Sequence, residues 1–449
     1  MTQGTNAQAG SDSPEHVRRL ARVARAAGAQ LARAGGPERR AILLALSDEL
    51  ARPAARAQIM AANAEDVREA EALRDAGALQ PALVDRLVLS PAKLDGLCDG
   101  LGQLADQADI VGRVELEREL DDGLVLRRVS CPLGVIGVVF EARPDAVPQI
   151  AGLALRTGNA VLLKGGHEAR RTNAALVQRL RDTLHAQGLH PGAVTLLEDR
   201  AEVDAMLGLE REIDLVIARG STAFVHHVQA HTRIPVLGHA EGLCHLYLHA
   251  SASPPMAARI AVDAKTSYPA ACNAIETLLW EPGAEAALMA ALEALRRRGV
   301  ELRGCEATRA KHPDLLPATP EDWSTEYGAL VLAVRKVDDI DAALAHIDRY
   351  GSRHTEAIVT GDDFAAATFL AAVDAANVFH NASTRFADGY RYGLGAEVGI
   401  STSKLHARGP VGVEGLVTYR WLLRGEGQVA SDYGPGKRAF AHRTRTVPG

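Results

Sequence analysis

Hydrophobic positions along the chain fall into two textures. Between residues 15 and 75, Ala, Leu and Val recur at helical spacing among Arg and Glu, with interruptions at Gly35-Gly36-Pro37 and near Pro53. This pattern predicts a helical lead-in broken twice. Ser90-Pro91 ahead of AKLDGLCDGLGQLADQ predicts one more helix, with Ser90 as N-cap and proline in the first turn. The opening MTQGTNAQAGSDSPE is polar and aperiodic.

From about residue 120 the texture changes. LVLRRVSCPLGVIGVVF is rich in β-branched residues, and PQIAGLALRTGN, NAVLLKGG, AALVQRLRDTLHAQGL, VTLLED, DLVIARG and STAFVHHVQAH alternate strand-like and helix-like runs. Such alternation predicts βαβ units around a parallel sheet. A second series runs through HLYLHA, IETLLW, ALVLAVRKV, EAIVTG and NVFHNAS, so two α/β units meeting near residue 245 are expected. The late stretch EGLVTYRWLLRGEGQVA is strand-like but too short for a unit of its own. It is expected to pair with LVLRRVS or with another subunit.

Composition changes this picture little. The 449 residues suffice for two or three domains, and 47% hydrophobic with 24% charged residues is ordinary globular content. A net charge of −6 gives no general reason to expect nucleic acid or an acidic membrane as partner. The five cysteines, Cys98, Cys131, Cys244, Cys272 and Cys305, show neither CxxC pairing nor metal-ligand spacing, which predicts free thiols in a reducing compartment and no metal site. Without a signal-peptide pattern or a run of about 18 apolar residues, a cytoplasmic location is expected.

No GxGxxG stands at a usable strand-to-helix turn. GEGQVA (425–430) is followed by only 19 residues, and GLGAEVG (393–399) is wrongly spaced. Two other strand ends suit a nucleotide. VLLKGGHEA ends an apolar strand at Lys164, where two glycines let a ligand approach the backbone; LVIARGSTAF offers Gly220 and Ser221 at the start of a helix whose free N–H groups suit a pyrophosphate. Each alone reads equally well as a plain turn.

In AKTSYPAACNAIETLLW, Cys272 follows a proline-containing turn and has Lys265 and Asn273 as polar neighbours. A thiolate there would be a nucleophile, although an inert buried thiol is the commoner fate of a free cysteine. NASTRFADGYRYGLGAEVGISTSKLHARGP gathers Asn381, Ser383, Thr384, Arg385, Lys404, His406 and Arg408 among glycines, which suits an anionic substrate or a solvated loop equally.

The segments PLGVIGVVFEARPDAV, NAVLLKGGHE, IARGS, AKTSYPAACNAIETLL, YGSRHTEAIVT, NASTRF and GLGAEVGISTSKLHARGPVG, in this order, resemble the γ-glutamyl phosphate reductase (glutamate-5-semialdehyde dehydrogenase) family of the aldehyde dehydrogenase superfamily. The likeness runs from about residue 15 to 430. It implies an α/β, aldehyde dehydrogenase-like fold with two α/β domains and a small β oligomerisation region. The expected NADPH-binding domain comprises 1–118 and 133–244, the catalytic domain 245–412, and the oligomerisation region with C-terminal tail 119–132 and 413–449.

The resemblance further implies NADPH-dependent reduction of L-glutamyl 5-phosphate to L-glutamate 5-semialdehyde with release of phosphate, the second step of proline biosynthesis, through a thioester on Cys272. Asn273 would assist beside it, with the Cys272 backbone N–H as one oxyanion donor. Lys164, Gly166, His167, Gly220, Ser221 and Glu326 would hold the cofactor, and Arg143, Lys265, Asn381, Arg385 and Arg408 the substrate. His167 stands where NAD-preferring relatives carry a Glu, which favours NADPH. FEARP aligns with the superfamily's PWNFP, placing Ala142 at the oxyanion Asn and making Arg143 a candidate ligand for phosphate or carboxylate.

The superfamily's hydrolytic Glu aligns with His239, or leaves Glu241 as base if the alignment shifts by two. Loss of that base suits a reductase that keeps water from its thioester. The polar LGHAEGLCH and the ARPDAV segment depart from the family pattern. An NAD(P)-dependent aldehyde oxidiser, which would need a working base, is the rival enzyme. A catalytically silent binding protein is opposed by the intact Cys272, Lys164, Glu326 and NASTRF. The family reading also implies a homo-oligomer and, since no kinase-length segment precedes the match, a separate glutamate 5-kinase delivering the labile acyl phosphate.

Overall fold

The computed structural model describes residues 13–445 apart from 80, 142, 221, 239 and 240. The lead-in forms the helices Ser13–Leu31, Gly36–Ala51 and Pro53–Asp75, broken where the glycines and Pro53 fall, followed by Pro81–Leu87 and Pro91–Asp106. Ser90 caps the last of these, its hydroxyl accepting the Lys93 N–H.

Five parallel strands make the first sheet, in the order Val194–Leu196, Ala160–Lys164, Val135–Phe140, Leu215–Arg219, Val236–Leu237. Every residue of the central strand VIGVVF is buried, because helices cover both faces. Ile136, Val138 and Phe140 pack with the helices Gly36–Ala51, Pro91–Asp106 and Ala146–Arg156, while Val135 and Val139 pack on the other side with Ser13–Leu31 and Arg200–Leu207. Register sets two cations beside the end of this strand: Lys164 opposite Val139, and Arg219 opposite Phe140. Carboxyl ends of parallel strands are where such sheets bind ligands.

Seven parallel strands make the second sheet, with Ile275–Trp280, Cys244–Leu248 and Thr355–Val359 as neighbouring, wholly buried strands. The chain passes from the first sheet to the second between Leu237 and Cys244. Helices Pro254–Thr266 and Glu285–Arg296 pack on one face, and Ile340–Tyr350 and Asp363–Ala372 on the other.

The third sheet is antiparallel, ordered Val417–Arg424, Leu124–Pro132, Val114–Asp121, Arg443–Arg445. Of the two partners expected for the late strand, Leu124–Pro132 is the one it takes, from Val417 opposite Pro132 to Arg424 opposite Val125. The sheet begins at Val114, ahead of the residue 119 expected, and the tail strand Arg443–Arg445 was not foreseen. VELERELD has too many charges to stand out as a strand. Those charges are matched across the sheet, with Arg127 on Glu117 at 2.6 Å, Arg128 on Glu115 at 2.9 Å and Arg445 on Glu119 at 2.9 Å.

All five cysteines are free. Among the described residues, no helix is long and apolar enough to cross a membrane.

Candidate active site

Cys272 lies in a loop between helix Pro254–Thr266 and strand Ile275–Trp280, and it opens onto a cleft of about 560 Å³. The opposing wall comes from the strand ends of the first sheet, Phe140, Arg219 and Gly220, together with Arg143. Arg385 and Glu397, from the Gly-rich stretch, close the cleft. The carboxyl strand ends of one sheet thus face the cysteine of the other.

Two close approaches hold the cysteine loop. At Gly242 a Cβ would stand 2.2 Å from the Cys272 carbonyl oxygen, so only glycine lets this backbone pass; that oxygen also accepts the Cys244 thiol at 3.2 Å. Asn273 is buried and donates its amide to the Ala387 carbonyl at 2.8 Å, tying the loop to the turn that carries Arg385. Its side-chain oxygen has no partner among the described residues.

Three guanidinium groups dominate the charge. Arg385 bonds the Ser267 hydroxyl at 3.1 Å and lies over the Tyr268 ring at 5.9 Å; burial and then Arg391 pull it below its ordinary range, while Cys272 opposes this. Arg143 is exposed and forms no ion pair with a described residue. Arg219, at its strand tip, also forms none. Burial lowers it first and repulsion from Arg143 adds to this, against attraction from Glu397 and Cys272. Glu397 in turn is pushed up by burial while Arg219 draws it down.

Three residues expected at the substrate are not in this cleft. Lys265 is fully buried and ion-paired with Glu276 at 2.5 Å, because it lies on the inward face of its helix. Asn381 spends its amide on Thr360, accepting from the backbone N–H at 3.0 Å and donating to the carbonyl at 2.8 Å, and it adopts φ 54. Arg408 is held by the Asp374 carboxylate at 2.9 Å.

Of the residues expected to hold a cofactor, Lys164 is partly buried and donates to the Gly165 carbonyl at 2.5 Å, with burial lowering its pKa. Gly166 leads into the turn His167–Ala169, where His167 meets the Arg170 guanidinium at 2.9 Å. Gly220 precedes helix Thr222–His231 and lines the cleft. Glu326 is exposed on the loop after Pro320–Ser324 and acts electrostatically on Lys265 and Glu276. Glu241, the alternative base, does not line the cleft. Ser221, Ala142 and His239 lie outside the described residues.

The sequence does not single out Arg219 or Glu397: LVIARG stands out for its glycine and GLGAEVG for its glycine spacing. The signal that could have found Arg219 is a cation ending a buried strand next to a ligand-type glycine.

No family model matches the chain. The γ-glutamyl phosphate reductase of Cyanothece sp. is 53% identical over 436 residues, spanning 96% of this chain and 98% of that protein. That of Parasynechococcus marenigrum is 53% identical over 431 residues, 96% and 97% respectively. The crystal structure of γ-glutamyl phosphate reductase from Thermotoga maritima superposes with a TM-score of 0.88 at 37% identity, covering 92% of this chain and 99% of that one. An acetylating aldehyde dehydrogenase from Geobacillus thermoglucosidasius, 16% identical over 94% of this chain and 99% of its own, shares the fold at a TM-score of 0.66. On sequence and structure alike, this chain belongs to the γ-glutamyl phosphate reductase family, oxidoreductases built on the aldehyde dehydrogenase fold.

Proposed function

We propose that the protein reduces L-glutamyl 5-phosphate to L-glutamate 5-semialdehyde with release of phosphate, in the cytoplasm, as the second step of proline biosynthesis. The observation that carries this reading is Cys272 in a cleft with Arg143, Arg219 and Arg385, within a chain of this family. The Cys272 thiolate attacks the γ-acyl carbon, the carbon–oxygen bond to phosphate breaks, and phosphate leaves with the electron pair. The arginines neutralise the departing charge. NADPH, when bound, supplies the hydride that converts the thioester to a thiohemiacetal. Collapse of that adduct releases aldehyde and returns the thiol. Asn273 keeps the loop in place through Ala387, and the Cys272 backbone N–H serves as oxyanion donor.

Residues at the strand ends fit a dinucleotide. Lys164 and Gly166 stand at a carboxyl strand end and Gly220 ahead of a helix, and the His167–Arg170 pair would favour a 2′-phosphate that a carboxylate would repel. Glu326 would bind the nicotinamide ribose. A homo-oligomer formed through the antiparallel sheet and acyl phosphate supplied by a separate glutamate 5-kinase complete the reading.

The test runs the reaction backwards, with glutamate 5-semialdehyde and NADP⁺. NADPH formation should require phosphate or arsenate and vanish in Cys272→Ala. Turnover without either anion would favour a hydrolytic aldehyde oxidiser instead.

A further inference from the structure

Cys244 is the first residue of a wholly buried strand and lies against the loop that carries Cys272. Its thiol donates to the Cys272 carbonyl oxygen at 3.2 Å. Bond lengths then place the Cys244 sulfur within about 6 Å of the Cys272 Cα. Gly242, two residues earlier, comes closer still, since a Cβ there would stand 2.5 Å from that same Cα. In a disulfide the far sulfur stands about 4–5 Å from the partner's Cα. Cys272 belongs to neither helix Pro254–Thr266 nor strand Ile275–Trp280, so its side chain is free of regular structure when it turns from the cleft toward Cys244.

The two thiols differ in access. Cys272 is half-buried and opens onto the cleft, whereas Cys244 is fully buried and does not line it. An oxidant entering the cleft meets Cys272 alone, because Cys98, Cys131 and Cys305 do not line it either. Burial holds the Cys244 thiol well above its ordinary range, which keeps it protonated and inert toward the oxidant itself. The ring of His354, with Nδ1 3.8 Å from the Cys244 sulfur, offers a place for the thiol proton in transit.

We infer that Cys244 is a resolving thiol, which captures Cys272 after oxidation by a hydroperoxide and locks it in a reversible Cys244–Cys272 disulfide. The Cys272 thiolate attacks a peroxide oxygen, the O–O bond breaks, and Cys272 sulfenic acid forms with release of hydroxide. The Cys244 sulfur then attacks the Cys272 sulfur, the S–O bond breaks, and the leaving hydroxide takes up the Cys244 proton as water. Two thiols lose two electrons and hydrogen peroxide is reduced to two waters. A dithiol reductant restores both thiols by exchange. Without a resolving thiol the sulfenic acid goes on to sulfinic acid, which is irreversible. The inference requires Cys272 in its cleft and does not depend on which acyl group the enzyme reduces.

The test treats the full chain with hydrogen peroxide, blocks remaining thiols with N-ethylmaleimide, and maps peptides by mass spectrometry without reduction. A peptide pair joined through Cys244 and Cys272 is expected, with a loss of activity that dithiothreitol restores to at least about 80%. In Cys244→Ala, measured against its own untreated activity, recovery should stay below about 20% and Cys272 should carry sulfinic acid. Cys244→Ser carries the same expectation if the alanine variant does not fold. Absence of the joined pair in wild type, Cys272 joined to a different cysteine, or a variant that recovers as fully as wild type overturns the inference. The peptide map is read without turnover, so it decides the matter even if the reaction proposed above fails.

Discussion

Gly242 lies against Cys272 so closely that a Cβ at 242 would sit 2.2 Å from the Cys272 carbonyl oxygen and 2.5 Å from its Cα. Both are backbone atoms, and the carbonyl is also engaged by Cys244. Gly242→Ala must therefore shift the nucleophile loop. Displacement of a reacting group by around 1 Å costs on the order of 100-fold, so kcat should fall by about that factor with a far smaller change in KM. Steady-state kinetics check this, and kcat above a tenth of wild type would contradict it.

The buried Lys265–Glu276 pair is structural in this geometry. Even beside Lys265, burial pushes the Glu276 carboxyl up to about 7. Lys265→Met leaves that acid alone in the core and should cost about 3–5 kcal/mol, whereas Lys265→Met with Glu276→Leu should recover most of the loss. Urea denaturation of the four proteins measures the cycle. In the double variant the substrate KM should stay within about 2-fold of wild type, because Lys265 does not line the cleft; a large KM change would return Lys265 to the substrate site.

His346 sets a pH dependence of stability. Both ring nitrogens lack partners among the described residues, and the ring is boxed by Trp323, Tyr350 and His245. Burial first, then the charges of His245, Arg335 and Arg349, pull its pKa from 6.5 to about 2. Its folded pKa is depressed, so the unfolded chain takes up a proton the folded chain refuses. Stability is full above about pH 6.5 and declines as pH falls through that window, by up to about 1.4 kcal/mol per unit. Between pH 7.5 and 5, His346→Gln should lose about 2 kcal/mol less than wild type, measured by chemical denaturation at both values. Parallel losses would exclude His346 as the source.

The edge strand Val417–Arg424 exposes Tyr419, Trp421, Leu422 and Leu423, the last at 60%. Exposed apolar residues on an open sheet edge are ordinarily covered. If the partner is a second copy, Trp421→Glu with Leu423→Glu should shift the molar mass in light scattering toward the monomer while circular dichroism stays unchanged. An unaltered mass would remove this strand from the interface.

Much of the frame is legible in the hydrophobic pattern. VIGVVF is an unbroken apolar run because helices cover both faces of its sheet. Val114–Asp121 is not legible, since its charges find partners only once the sheet has formed. Lys265, Asn381 and Arg408 show the limit at the site: a polar residue in a chemistry-bearing motif reads alike whether it faces a ligand or is spent on Glu276, Thr360 or Asp374. Arg219 is the reverse case, an unremarked letter in a motif that strand register carries to the cleft.

The antiparallel sheet joins segments from the first third of the chain to segments near its end. During synthesis, Leu124–Pro132 must wait with an open edge until Val417–Arg424 emerges, after both parallel sheets have their strands. Pairings so distant in sequence form late and leave edges available to wrong partners in the interval. Arg127 and Arg128 on that waiting strand, and the glutamates of Val114–Asp121 beside it, give the intermediate a charged edge. What looks in the finished molecule like ion-pair decoration is, for the growing chain, a guard against premature association.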